Sequence, residues 1–420
     1  MAKHFLRYGL IVLAGFIPFL SLAADAPSGL TRVQAVRLAL ENNPQLQAAA
    51  RRLDAARARR LQADGFDPPT VFWDIEEADG GGPRRFGNQI YGIEQTVEWF
   101  SVRRTRKQTA DLGIEASTAS LDRVRLRVTV QTQKAFDQVL LADNTVHLLQ
   151  QLVALTGEAV GISRVRFKSG TGKYVDLLRT RIARQRLQND LRDAEIAAAK
   201  ARRRLGVLLG NDVGALTVSG ELRYQSLQLD RDAWLAKIDQ TGPTFILLKR
   251  RAEQADKVYA ATRKARLPEV TVGLGRQRLY DGANTNYAWA GQLGLKFPLP
   301  GSDRQRGLEG EALAEAQVIQ DRGRALRLRA RARLQQRYDE AEALAAQLTS
   351  YNDAILPDSE DQLKAAQQEY RVRRIDALNL LDVYNTYLDT HRTYLNTLTR
   401  YRAALADLET LGEDLWEVEL

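Results

Sequence analysis

One stretch, Pro268 to Leu299, limits the fold more than any other, because it alternates strictly in a chain that elsewhere reads as helix. Val270, Val272 and Leu274 alternate with Thr271, Gly273 and Gly275. Past the turn signal Asp281-Gly282-Ala283-Asn284, the residues Tyr287, Trp289, Leu293, Leu295 and Phe297 alternate with Ala288, Ala290, Gln292 and Lys296. Period-two alternation on both sides of a turn predicts a β-hairpin. One face is aliphatic with aromatics towards the tip, and the other is small or polar. A half-exposed hairpin of a soluble domain has that pattern, and so does a lipid-facing hairpin with a wet lumen behind it.

The chain carries this hairpin twice. Asn43 to Val71 laid over Gly242 to Val270 matches Pro44 with Pro243, Arg52 with Arg251, Ala56 with Ala255 and Pro69 with Pro268, every pair 199 residues apart. Each copy opens with a proline at a first helical position, after Asn43 or Gly242 as cap, and closes in a proline that starts a strand. Val71, Trp73 and Ile75, a loop with Gly80, Gly81, Gly82 and Pro83, then Tyr91, Ile93, Val97 and Trp99 form the first hairpin, and long helical stretches follow both. The expected plan is one unit over residues 25–420. It has two repeats (about 31–210 and 241–413), hairpins at 68–100 and 268–299, and a mixed segment at 211–240 with a short strand near Leu216 to Val218. Four strands cannot close around a lumen, and an open edge in lipid leaves backbone groups unpaired at several kcal/mol each. Lipid-facing hairpins therefore require a closed homo-oligomer. Three chains would supply twelve strands, an even number within the known range.

Lys3, His4 and Arg7 precede an apolar run from Tyr8 to Leu22, with small residues at Ala23, Ala24 and Ala26, so residues 1–24 read as a secretory signal peptide. The run is short against the ~20 residues of a membrane span and contains Pro18. The chain has no cysteine, so its stability must come from packing. Its 61 Lys+Arg against 52 Asp+Glu are interleaved along helices rather than massed, which argues for solvated helix surface and against nucleic acid.

No proline interrupts Ser101 to Lys168, where a continuous helix would be on the order of 100 Å long, although Gly113, Gly157 and Gly161 weaken its continuity. Val128, Ala135, Val139, Ala142, Val146, Leu149 and Val153 fall on a seven-residue repeat, as do Leu187, Leu191, Ala194, Ala198, Ala201, Leu205 and Leu208. The last helix repeats with Leu380, Tyr384, Tyr387, Tyr394, Leu398, Tyr401, Leu405 and Leu408, and Leu381, Leu388 and Leu395 add a second stripe. Such repeats predict supercoiled helices packed knobs-into-holes. A plain intramolecular bundle would also use them, but two-sided stripes suit a stave in a helical wall.

Two helix-to-helix turns are more specific. Arg166-Phe167-Lys168-Ser169-Gly170-Thr171-Gly172-Lys173-Tyr174-Val175-Asp176-Leu177-Leu178 and Glu369-Tyr370-Arg371-Val372-Arg373-Arg374-Ile375-Asp376-Ala377-Leu378-Asn379-Leu380-Leu381-Asp382 each run from an aromatic through a turn to an aliphatic-Asp-aliphatic segment. They resemble the tips of the TolC family of outer-membrane efflux ducts, and the resemblance spans the mature chain from Leu30 to the closing YRAALADLETLG. It implies a mainly α fold with a small β part: an α-barrel of long coiled-coil helices plus four strands per chain in a twelve-stranded trimeric β-barrel. It implies an outer-membrane location extending into the periplasm. The implied partners are two sibling chains, outer-membrane lipid, a periplasmic adaptor and an inner-membrane RND-type pump. Asp176, Tyr370, Arg373 and Arg374 are the implied gate contacts. Asn379 and Asp382 would ring the aperture, and Ser169, Gly170, Thr171, Val372, Arg373 and Arg374 would form the adaptor-docking tips. Arg373 stands where the family's second tip has glycine, which disfavours a left-handed turn there. Ile375 stands where some members carry an arginine that pairs with the aspartate. The corners Gln95 to Arg104 and Phe297 to Gly307 are similar to the heavy-metal-cation branch, typified by cobalt-zinc-cadmium efflux components. Multidrug or other small-molecule efflux is the alternative cargo reading. A soluble periplasmic coiled-coil scaffold is the alternative of another class.

Catalytic chemistry has little to draw on. Histidine occurs only at His4, His147 and His391, the sole methionine is the initiator, and no phosphate-binding glycine loop or nucleophile elbow is present. No catalytic, cofactor or resident metal site is expected, and His391 reads as a packing residue of the last helix. Soft-metal sites draw on cysteine and methionine, so any metal cargo would be selected elsewhere.

Overall fold

The computed structural model describes residues 29–78, 86–210, 216–224, 226, 242–264, 266–280, 284–297 and 302–410. The expected signal peptide, the glycine loop at Gly80 to Pro83, the turn at Asp281 to Ala283, most of the mixed segment and the corner at Pro298 to Gly301 lie outside them.

Thr31 starts helix α1 (Arg32–Asn42) with a capping box, its hydroxyl accepting from the Gln34 amide while the Gln34 side chain accepts from its own. Asn43 ends α1 and begins α2 (Pro44–Asp64). Its side-chain oxygen caps the Gln45 amide and its side-chain nitrogen donates to Leu208 O at 2.9 Å. Strands β1 (Thr70–Ala78) and β2 (Phe86–Val97) follow, and then α3 (Phe100–Lys168), an unbroken helix of 69 residues or roughly 100 Å. The three glycines do not interrupt it. At Gly113 a side chain would crowd Gln254 of the neighbouring helix at 3.2 Å, so that glycine serves close packing. After α4 (Tyr174–Leu208), Val218 bridges Leu30 in parallel, with Leu216, Val218 and Leu222 resting on the apolar cluster of α1, α3 and α4.

The second half comprises α5 (Pro243–Lys264), β3 (Glu269–Tyr280), β4 (Thr285–Lys296), α6 (Asp303–Ser350), a π-turn (Tyr351–Ile355), α7 (Leu356–Arg371) and α8 (Ala377–Glu409). The helical run Asp303 to Arg371 is as long as α3. It is interrupted where Pro357, in the first turn of α7, can neither donate to the ladder nor avoid the carbonyl four residues earlier. The Leu356 amide bonds instead to Tyr351 O, five residues back, which opens the π-turn.

The two hairpins join through β2 and β3 into one antiparallel sheet in the order β1-β2-β3-β4. Cross-strand register places Val71, Ile93, Leu274 and Gly291 in one row and Trp73, Tyr91, Arg276 and Trp289 in the next, all on one face. That face is exposed: Trp73 is 66 %, Trp289 70 %, Leu293 72 % and Val71 77 % accessible. Phe72, Asp74, Glu76, Glu94, Gln277 and Gln292 lie on the other. Among the described residues the sheet makes no extended contact with any helix, and its outer strands β1 and β4 each have a free edge.

The core runs along the helices. At the turn end, Leu148, Leu149 and Leu152 of α3 pack with Leu187 of α4, Leu363, Ala366 and Tyr370 of α7, and Leu380, Tyr384 and Leu388 of α8. Farther from the turns along the helices, Phe245 of α5 joins Leu334, Leu344 and Leu348 of α6 and Leu398, Tyr401 and Leu408 of α8. His391 is half-buried, its ring 4.1 Å from that of Tyr387, and burial lowers its pKa despite the opposing charge of Glu360. No helix among the described residues is long and apolar enough to cross a membrane.

Candidate functional site at the helical tips

Both turns solve the same problem, which is how to end a long helix and reverse within a few residues. In the first, the Thr171 amide bonds to Arg166 O at 2.9 Å and the Gly170 amide to Phe167 O at 3.1 Å, with Gly170 at φ 71°. In the second, the Arg374 amide bonds to Glu369 O at 2.8 Å and the Arg373 amide to Tyr370 O at 3.2 Å, with Arg373 at φ 66°. Both are Schellman caps with a left-handed residue after the helix. Arg373 thus takes the conformation its side chain disfavours, at a cost of about 1–2 kcal/mol, and its Nη2 donates to Thr171 Oγ1 at 3.2 Å, joining the two turns.

The caps fix an equivalence that the sequence pattern misplaces. Asp376 is the N-cap of α8, its carboxylate accepting from the Asn379 amide at 2.9 Å. The N-cap of α4 is Lys173, so Asp176, three residues in, matches Asn379 rather than Asp376.

The structure does not bring Asp176 and Tyr370 together. Half-buried Asp176 faces Arg179 of its own helix at 3.9 Å. Tyr370, only 2 % exposed, shares a hydrogen bond of 2.6 Å between its hydroxyl and Ser163 Oγ, which also accepts from Thr180 Oγ1 at 3.4 Å. The Arg166 guanidinium lies 4.5 Å from the Tyr370 ring centroid and donates to Tyr370 O. Thr180 of α4, Ser163 of α3 and Tyr370 of α7 therefore form a buried hydroxyl cluster, and Arg371 adds an ion pair to Glu158 of α3 at 2.9 Å. Ser163 and Thr180 carried no signal in the sequence, because a hydroxyl inside a helix is common. Tyr370→Phe is expected to weaken this end by about 1 kcal/mol, with Ser163→Ala adding less than its own single effect. A thermal double-mutant cycle measures the coupling, and additive losses would show that the hydroxyls act separately.

The remaining predicted residues are exposed. Ser169 caps α3, its hydroxyl 2.9 Å from that of Thr171, and Val372 caps α7 at 64 % exposure. Arg374 is exposed, as are Asn379 and Asp382, which lie one turn apart on α8. Around them, Arg164, Lys168, Lys173, Arg179, Arg181, Arg371, Arg373 and Arg374 outnumber the exposed carboxylates, beside apolar Phe167, Tyr174 and Val175. Among the described residues no group of His, Cys, Asp and Glu could hold a metal ion.

Paired helices of this length end at one pole in tight turns and at the other in a sheet with an apolar exposed face and open edges, an architecture shared with solved outer-membrane channels. The sequence profile described as "Outer membrane efflux protein" matches residues 35–211. The cobalt-zinc-cadmium resistance protein CzcC of Cupriavidus metallidurans is 24 % identical over 370 residues, covering 86 % of this chain and 85 % of CzcC. The fold matches the outer membrane protein VceC of Vibrio cholerae (TM-score 0.74, 18 % identity, 91 % of this chain and 96 % of that one). It likewise matches the CmeC outer membrane channel of Campylobacter jejuni (TM-score 0.75, 15 % identity, 97 % and 94 %). Residues 35–211 thus carry the outer membrane efflux protein profile, and the chain as a whole has the fold of outer membrane channel proteins.

Proposed function

We propose that three copies of this chain close a β-barrel in the outer membrane and a helical duct beneath it, through which cargo delivered by an inner-membrane pump and a periplasmic adaptor leaves the cell. The single observation that carries this reading is the sheet, whose apolar face no helix covers and whose edge strands no strand pairs among the described residues. A soluble periplasmic scaffold has no use for either feature. Recovery from outer membranes as an SDS-resistant trimer is the expected result, and release by osmotic shock would overturn it.

Heavy-metal cations are the proposed cargo, on the likeness to CzcC along most of the chain. The tips set a condition on that cargo. A mouth with an excess of exposed Arg and Lys repels cations, so cation passage requires an adaptor that covers or neutralises those tips before the aperture opens. The same basic mouth favours small neutral or anionic molecules as the alternative cargo. Asp382 and Asn379 are the proposed aperture residues. Asp382→Ala should lower the cation-to-anion permeability ratio in planar bilayers about threefold, by the ~0.7 kcal/mol of one partly screened charge per chain. An unchanged ratio would remove Asp382 from the constriction. Adaptor binding would drive opening by favouring the state in which the Tyr370 hydroxyl cluster is released.

A further inference from the structure

We propose that the outward face of the sheet ends in a binding rim for lipid phosphate, formed by Arg276 and Arg278. The inference rests on the membrane-seated trimer described above and adds a ligand to it. Starting from the helices, the rows on the exposed face are Val97, Val270 and Leu295; then Gln95, Val272 and Leu293; then Val71, Ile93, Leu274 and Gly291. After this apolar band come Trp73, Tyr91, Arg276 and Trp289, and then Ile75, Gln89, Arg278 and Tyr287. Both arginines thus share rows with the aromatic side chains that, on a membrane barrel, sit at headgroup level.

Neither arginine forms an ion pair among the described residues, in contrast to the sheet's other face, where Lys296 pairs with Glu269 at 2.8 Å and Asn88 bonds to Glu76 at 2.8 Å. An unpaired cation beside an apolar band is costly unless an anion meets it there. The Arg276 guanidinium carbon lies 5.2 Å from the Trp289 ring centroid and 5.6 Å from that of Tyr287. The rings hold the guanidinium in place while its N–H donors, which lie in its plane, stay available. A forked, delocalised cation matches the geometry of phosphate oxygens. The anion available at that depth is the phosphate of a lipid headgroup in the leaflet farther from the helices. Three copies would place six guanidinium groups around the barrel.

The experiment uses the purified trimer of the wild type, of Arg276→Gln with Arg278→Gln, and of Arg276→Lys with Arg278→Lys. Each is reconstituted in vesicles of phosphatidylglycerol or of a phosphate-free galactolipid diglyceride. The wild-type trimer should dissociate in heated SDS about tenfold more slowly from phosphatidylglycerol, a factor equal to about 1.4 kcal/mol. The glutamine pair should lose that preference and the lysine pair should keep part of it. Equal dissociation of the wild type from both lipids, or a glutamine pair that behaves as wild type, overturns the rim. Failure of the wild type to fractionate with outer membranes sinks the membrane seat and the rim together. A membrane-seated wild type without lipid preference sinks the rim alone.

Discussion

Asp137→Ala is expected to destabilise the protein by about 3–5 kcal/mol, the range for removing one partner of a buried ion pair. Asp137 of α3 is 2 % exposed and accepts two hydrogen bonds from Arg402 of α8, at 3.0 Å from Nε and 2.8 Å from Nη2, with Arg32 of α1 at 3.7 Å. Close by in the same antiparallel helix crossing, Asp407 of α8, 1 % exposed, pairs with Lys134 of α3 at 2.5 Å and with Arg337 of α6 at 3.4 Å. An exposed ion pair would contribute only about 0–1 kcal/mol. Here the Arg402 side chain is 16 % exposed, so loss of the carboxylate strands a desolvated cation against α3. The double replacement Asp137→Leu with Arg402→Met should recover most of the loss, since a buried pair is often no better than apolar residues of similar volume. Thermal unfolding by circular dichroism on the single and double variants measures both effects. A loss below about 1 kcal/mol for Asp137→Ala would mean that water already solvates the pair. The crossed bridges tie the C-terminal half of α8 to α3 and α6, and through Asp137 to Arg32 of α1.

The strands were legible because each meets a different environment on its two faces, so period-two alternation survives in Val270, Val272 and Leu274 and in Val71, Trp73 and Ile75. The helices were legible because their seams repeat every seven residues: Val128, Ala135, Val139 and Leu149 are all buried. What was not legible depends on contacts between distant elements. Nothing in the residues around Asp137 marks the arginine it meets 265 residues later, because the pairing exists only once α3 and α8 lie side by side. The tip equivalence failed for another reason. An aliphatic-Asp-aliphatic pattern fits both Asp176 and Asp376, and only the caps show that one lies inside its helix while the other begins its own. The second long arm is interrupted at Pro357, whose missing amide opens the π-turn, a break that the seven-residue repeats do not mark. Arg373 was correctly marked as conflicting with a left-handed turn, but the two backbone bonds of the cap, together with the bond to Thr171, outweigh that conflict.

Gly92→Ala is expected to deplete the assembled trimer strongly, because Gly92 sits on the strand seam that joins the two halves of the chain. It faces Gly275 across β2 and β3, and a Cβ there would stand 2.6 Å from Gly275 Cα, 2.6 Å from Leu274 O and 2.8 Å from the Phe72 ring. Two of those neighbours are backbone, which cannot rotate away, so the strands must part. Overpacking of this kind costs about 1–3 kcal/mol and occasionally more, and here it also exposes ladder groups where no water can satisfy them. Gly291→Ala is the matched control: it lies in β4, on the far side of β3, and an added Cβ meets nothing within 4 Å. The yield of SDS-resistant trimer in outer-membrane fractions should fall about 5- to 150-fold for Gly92→Ala, the factor that 1–3 kcal/mol implies, and stay near wild type for Gly291→Ala. Equal yields would mean that β2 and β3 can separate without loss. The hairpins would then be independent units, and barrel closure would rest on the open edges of β1 and β4 alone.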